Sequence, residues 1–196
     1  MLYTGHMKLI LGIGNPERQY DGTRHNVGFQ MLDKIAADAG VSFKRSDKFR
    51  ADIAEISMSG EKALLVKPTT YYNLVGESAR SLLDFYKLSP EDFLIIHDDL
   101  ALPLGTVRTR VGGSDGGNNG LKSLSAHVGT ETTRIRIGVW TDHHHGTDKV
   151  SVVLGKFTQA ERTALEAIGP TISRLVRDFM NGSLEITTHR HTLDAE

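Results

Sequence analysis

Cysteine is absent from the 196 residues, so neither a disulfide nor a cysteine-ligated metal can hold this chain together. That absence suits a reducing compartment without requiring one. No apolar run approaches the ~20 residues that a membrane-spanning helix needs. The opening stretch, MLYTGHMKLI, lacks the long apolar core of a secretion signal. Neither sign of charge is in excess: the net charge is −1, so the whole-molecule field would not draw in a polyanion. Any nucleic-acid site must be a local patch. The length suits a single domain over residues 1–196, with residues 1–7 and 183–196 peripheral or mobile. A chain of this size buries most of its apolar surface without staples.

The pattern that is present alternates strands with helices. Residues 8–13 are an apolar run closed by glycine, the signature of a buried strand. Phe29, Leu32, Ile35, Ala36 and Ala39 recur at helical spacing, which predicts a helix over 26–39 that stops at Gly40. Residues 51–58 and 62–67 flank Ser-Gly-Glu and predict a hairpin. A second helix is expected over 76–88, then a short apolar strand over 93–97 that ends in His97-Asp98-Asp99. Strands over 106–111 and 134–139 alternate apolar residues with arginine. Between them lie a glycine-rich loop, residues 112–120, and a short helix over 121–128. A last strand is expected over 150–154. Thr158 and Glu161 form a capping box that opens a helix, and Pro170 opens another that runs to about Asn181-Gly182. The expected fold is α/β: a twisted, mixed β-sheet with helices on both faces.

Several familiar chemistries fail on spacing. Gly12-x-Gly14-x-x-Glu17 lacks the third glycine of a dinucleotide fingerprint, and Pro16 sits where the phosphate turn should enter its helix. Lys122-Ser123 follows Gly120-Leu121 without the spacing of a phosphate-binding loop. No G-x-S-x-G elbow supports a serine hydrolase. His143, His144 and His145 are consecutive and cannot converge on one ion from a regular element, and His189 and His191 sit in a polar tail.

His25 is the histidine just beyond the first strand, among the uncharged polar residues Asn15, Thr23 and Asn26. Asp98 ends the 93–97 strand. In an open α/β sheet the C-terminal strand ends collect on the ligand side. If these two strands are parallel, Asn15 and Asp98 face a common crevice that His25 can reach. A carboxylate beside an imidazole fixes its tautomer and raises its basicity, which equips it to take a proton from water. The plainer alternative is that His25 caps the following helix and Asp98 closes a turn. Asn15, Asn26, Asn73, Asn118 and Asn119 all stand at loop or element boundaries, where a neutral amide suits an ester or peptide backbone and equally suits an ordinary turn. Arg108, Arg110, Lys122, Arg134 and Arg136 face only Asp115 and Glu131 between residues 105 and 140. Such a face fits phosphate contacts, or a solvated sheet edge.

Four stretches, LILGIGNPERQYDGTRHNVGF, KPTTYYNLVGES, IIHDDLALPLGTVRTRVGGSDGGNNGLKS and RIRIGVW, together resemble the bacterial peptidyl-tRNA hydrolase family. The resemblance implies hydrolysis of the ester between a peptide and tRNA in peptidyl-tRNA that has left the ribosome. It implies a cytoplasmic monomer that needs no cofactor, no metal and no membrane. It makes His25 the base that activates water, Asp98 its carboxylate partner, and Asn15 the residue that tells a blocked amino group from a free one. Tyr20, Tyr71, Asn73 and Asn119 match positions that hold the peptide or the tRNA 3′ end. Arg110, Lys122 and Arg136 match basic positions near the acceptor arm. Asn26 is left to orient its loop or cap its helix. The chain departs from the family pattern at Glu17, Tyr72, Ala101 and Asn118, where glycine, methionine, aspartate and histidine are usual. A non-catalytic RNA-binding relative and a nucleotide-dependent enzyme remain as alternatives.

Overall fold

A computed structural model describes residues 7–58 and 60–191, so the outermost residues of both expected peripheral segments, and Ser59 of the expected hairpin turn, lie outside the description. The sheet is built on four parallel strands. In spatial order they are β4 (Glu61–Pro68), β1 (Lys8–Gly12), β5 (Phe93–Pro103) and β7 (Thr133–Trp140). β3 (Ala51–Met58) pairs antiparallel with β4 as the expected hairpin, and β2 (Lys44–Ser46) lies outside it. On the other side β6 (Thr106–Val111) is antiparallel to β7, and β8 (Thr188–Arg190) closes that edge. The full order is β2-β3-β4-β1-β5-β7-β6-β8, one mixed sheet.

Period-two alternation along the buried strands feeds two cores. Ile10, Leu65, Leu94 and Ile96 point to one face. There they meet α1 (Val27–Asp38) and α5 (Gln159–Met180). Leu9, Leu11, Leu64, Val66, Phe93 and Ile95 point to the other, against α2 (Val75–Tyr86) and α3 (Asn119–Val128). Both faces of β1 and β5 are therefore dry. Each fully buried leucine or isoleucine there contributes about 1.5–3 kcal/mol. The helices on both faces are those the alternating pattern implies.

Three expectations need correction. Residues 150–154 are not a strand but most of α4 (Lys149–Leu154). The β-branched run VSVVL suggests a strand, yet Asp148 caps the helix by accepting the Ser151 N–H, and one side alone is buried, through Val152 and Val153. Pro170 does not open a helix. It lies inside the 22-residue α5, on its exposed side, where water can serve the carbonyl that its missing N–H leaves free. The third is the strand expected over 93–97, which continues as β5 to Pro103. The stretch 183–191 runs along the sheet edge. Thr109 holds it by donating to the Glu185 carbonyl and accepting from the Thr187 N–H, which leads into β8.

α1 sits close enough to the sheet to fix the loop before it. A Cβ on Gly28 would come within 2.5 Å of the Ile96 carbonyl oxygen and 2.7 Å of the Ile13 backbone, so only glycine allows this approach. The segment from Asn15 to Asn26 is thereby pinned over the C-terminal end of β1 and the middle of β5.

Candidate active site

Asn15, His25, Tyr71, Tyr72, Asn73 and Asn119 line a cleft of about 410 Å³ at this end of the sheet. The first two come from the segment after β1, the next three from the turn after β4, and Asn119 from the start of α3. Asp98 lies beneath them on β5, only 4% exposed. His25 Nδ1 is 3.0 Å from Asp98 Oδ2. A carboxylate accepts only, so Nδ1 carries the proton and donates, and Nε2 is left with its lone pair for the cleft. The two side chains, 73 residues apart in the chain, meet at hydrogen-bond distance.

The other carboxylate oxygen is also engaged. Tyr72 Oη donates to Asp98 Oδ1 at 3.1 Å, and Asn118 Nδ2 donates to Tyr72 Oη at 2.8 Å. The Tyr72 ring stacks on the imidazole, with centroids 3.7 Å apart and planes 14° from parallel. Burial, with the Asp98 charge beside it, pushes the Tyr72 phenol well above its ordinary range, so it keeps its proton. On the same strand His97 turns to the opposite face. Its Nδ1–H donates to the Asp98 carbonyl, and burial holds the ring below the ordinary histidine range. It is therefore neutral and adds no charge to the site.

Asn15 is held by its neighbour Asn26 and not by a turn of its own. Asn26 Oδ1 accepts the Asn15 N–H at 2.8 Å, and Asn26 Nδ2 donates to the Asn15 carbonyl at 2.9 Å. Asn26 makes no side-chain cap on α1. Of its two expected roles, orienting the loop is the one the geometry fits. Arg24, next to His25, is buried and bonds both Glu161 oxygens at 2.7 Å, while its N–H donates to the Gly155 carbonyl. This ties the His25 segment to α4 and α5, a link that no local pattern marks.

The remaining residues singled out above lie around the cleft. Tyr71 is 65% exposed at its rim. Tyr20 ends a short 3-10 turn, where its carbonyl accepts from Thr23; it is not among the lining residues. Arg110 is exposed on β6 opposite Arg134, and Lys122 is exposed on the first turn of α3. Arg136 is half-buried and paired with Asp99 at 2.6 Å. Arg134 is buried, donates to the Gly113 and Ser114 carbonyls, and so braces the glycine-rich loop. Burial, and then the charges of Arg110 and Arg136, hold Arg134 below its ordinary value, the mark of a clustered cationic face. His144 and His145 pack edge-on to Trp140.

The family model described as peptidyl-tRNA hydrolase matches residues 9–195. The chain belongs to the peptidyl-tRNA hydrolase family. Among relatives in that family, the peptidyl-tRNA hydrolase of Chlorobaculum parvum is 45% identical over 180 residues, 91% of this chain and 94% of that one. The peptidyl-tRNA hydrolase of Bacillus cytotoxicus is 49% identical over 178 residues, 90% and 95% of the two chains. A crystal structure of peptidyl-tRNA hydrolase from Acinetobacter baumannii superposes with a TM-score of 0.82 at 33% identity, over 91% of this chain and 90% of that one. The cleft thus lies in a peptidyl-tRNA hydrolase fold. Tyr72 and Asn118 take part in it through side-chain bonds that sequence reasoning did not assign.

Proposed function

We propose that this chain hydrolyses the ester between the peptide and the tRNA of peptidyl-tRNA, with His25 as the base that activates water. The observation that carries this reading is the His25 Nδ1–Asp98 Oδ2 contact of 3.0 Å beside a cleft of neutral amides. Nε2 takes a proton from water as the water oxygen attacks the ester carbonyl carbon. The resulting imidazolium is stabilised by Asp98. Collapse of the tetrahedral intermediate breaks the bond to the ribose oxygen, and the proton on Nε2 passes to that leaving oxygen. A base so placed contributes on the order of 10²–10⁴ in rate.

Asn15 selects the substrate. An N-acylated residue presents an uncharged amide, whereas a free α-amino group is charged and leaves the asparagine's hydrogen bonds unmade. Unpaired polar groups in a site built to bond them are an effective means of rejection. Asn73, Asn119 and Tyr71 hold the peptide or the tRNA 3′ end in the cleft, with Tyr20 near its entrance. Arg110 and Lys122 meet acceptor-arm phosphates, and Arg136 does so while braced by Asp99. The chain works as one cytoplasmic, monomeric unit without a cofactor. No helix among the described residues is long and apolar enough to cross a membrane.

The test is release of tRNA from N-acetyl-aminoacyl-tRNA by the purified protein, beside free aminoacyl-tRNA. Multiple turnovers on the acetylated substrate, with the free one spared, are expected. No release from the acetylated substrate contradicts the activity, and equal rates on both contradict the role of Asn15.

A further inference from the structure

We propose that Tyr72 is a positioning residue for the His25–Asp98 pair, and that Asn118 positions Tyr72 in turn. Together they form one directed hydrogen-bond chain from the start of α3 to the imidazole. The inference rests on His25 being the base.

The direction of every link is fixed by chemistry. Asn118 Oδ1 caps α3, accepting from the Gly120 and Leu121 N–H groups at 2.9 and 3.0 Å. Its oxygen is thus occupied, and the NH₂ end is the one turned to Tyr72. Tyr72 has a single hydroxyl proton. The Asn118 amide donates to its oxygen, so that proton goes to Asp98 Oδ1. Asp98 Oδ2 then has the His25 Nδ1–H as its partner. Each carboxylate oxygen has a dedicated donor, and the carboxylate plane is held by two bonds instead of one.

Packing adds a second restraint. The phenol ring lies flat against the imidazole and is 7% exposed. α3 also comes close to the ring: a Cβ on Gly120 would lie 2.7 Å from Tyr72 Cε1, so only glycine fits there. The imidazole stacked on this buried ring keeps the plane in which Nδ1 meets Asp98. Without the hydroxyl, Asp98 Oδ1 would retain only the Asn118 amide at 3.4 Å, a poor bond for a buried carboxylate oxygen.

Tyr72→Phe separates positioning from packing, because it keeps the ring and removes the proton donor. Rates on N-acetyl-aminoacyl-tRNA are measured across pH for wild type, Tyr72→Phe, Asn118→Ser and the double variant, with His25→Ala as reference. Serine retains the cap and loses the amide donor. In Tyr72→Phe, kcat is expected to fall about tenfold, the scale of one hydrogen bond to a charged group, while KM stays within about twofold. The acid limb of kcat should move to higher pH. An Asp98 that no longer shares its charge with a hydroxyl holds the imidazolium proton more tightly. Asn118→Ser should lower kcat by a smaller factor and add little, less than its effect alone, in the Tyr72→Phe background, because its main bond is to the hydroxyl and its direct approach to Asp98 is long.

A Tyr72→Phe protein with wild-type kcat and an unmoved acid limb overturns the proposal. Its failure is distinct from that of the base assignment: inactive His25→Ala beside a wild-type-like Tyr72→Phe removes only the role of Tyr72, whereas active His25→Ala removes the base. Should Tyr72→Phe fail to fold, Asn118→Ser decides. The downfield proton signal of His25 Nδ1–H, identified by its loss in His25→Ala, should shift in that variant. An unchanged signal and unchanged kcat overturn the proposal.

Discussion

At the scale of single residues the site depends on neutral amides used as clamps. Asn26 is 3% exposed and spends both ends of its side chain on the backbone of Asn15. Asn26→Ala is expected to cost about 1–3 kcal/mol, because it leaves two backbone groups without partners in a semi-buried place. A chemical-denaturation midpoint checks this, and an unchanged midpoint would contradict it. The sequence placed Asn26 near the site, but the choice between a helix cap and a clamp was open. That choice depends on which carbonyl and N–H lie opposite, and both belong to Asn15, eleven positions away. Tyr71 and Tyr72 make the same point. The dipeptide does not say which ring turns inward. In the fold Tyr71 stays in the open rim, and Tyr72 goes under His25 to meet Asp98.

At the scale of elements, Arg24 and Glu161 join the loop before α1 to the first turn of α5 across 137 residues. Glu161 also completes the capping box, accepting the Thr158 N–H at 2.7 Å while its own N–H donates to Thr158 Oγ1. Burial pushes its carboxyl up, but the Arg24 bond and the Thr158 N–H outweigh this and hold it below its ordinary value. A carboxyl with a depressed folded value lends stability that is complete above its unfolded value, near pH 4.5, and is lost as pH falls through the folded one. Glu161→Gln leaves Arg24 buried without a counter-charge. It should destabilise by about 3–5 kcal/mol at neutral pH, and by less as acid protonates the wild-type carboxyl. Thermal melts at pH 7 and pH 4 read this, and equal losses at the two pH values would contradict it. The capping box was legible from Thr158 and Glu161 three apart. The ion pair was not, because no local pattern marks it. α4 was misread because propensity is a weak guide for six residues, where Asp148 and one-sided burial decide. β8 was missed because a polar edge strand has no buried face to give it a period.

At the scale of the whole molecule, the parallel block β4-β1-β5-β7 brings the site together. β1 ends toward Asn15 and β4 toward Tyr71 and Asn73, while β5 carries Asp98 just past the last β1 pairing, Gly12 with Ile96. The strands of this block were legible as apolar runs separated by helices, while their common direction was only a condition of the reading. The register was not, yet the register decides whether Asp98 lies under His25. The same topology sets Arg110 opposite Arg134 and Arg108 opposite Arg136 on β6 and β7, so a chain of net charge −1 still carries a cationic face. The central claim is that this convergence makes His25 a base. Single-turnover release of tRNA from N-acetyl-aminoacyl-tRNA by His25→Ala tests it most directly. The rate is predicted to fall by about 10²–10⁴ with substrate affinity unchanged; a rate within about threefold of wild type would contradict the account.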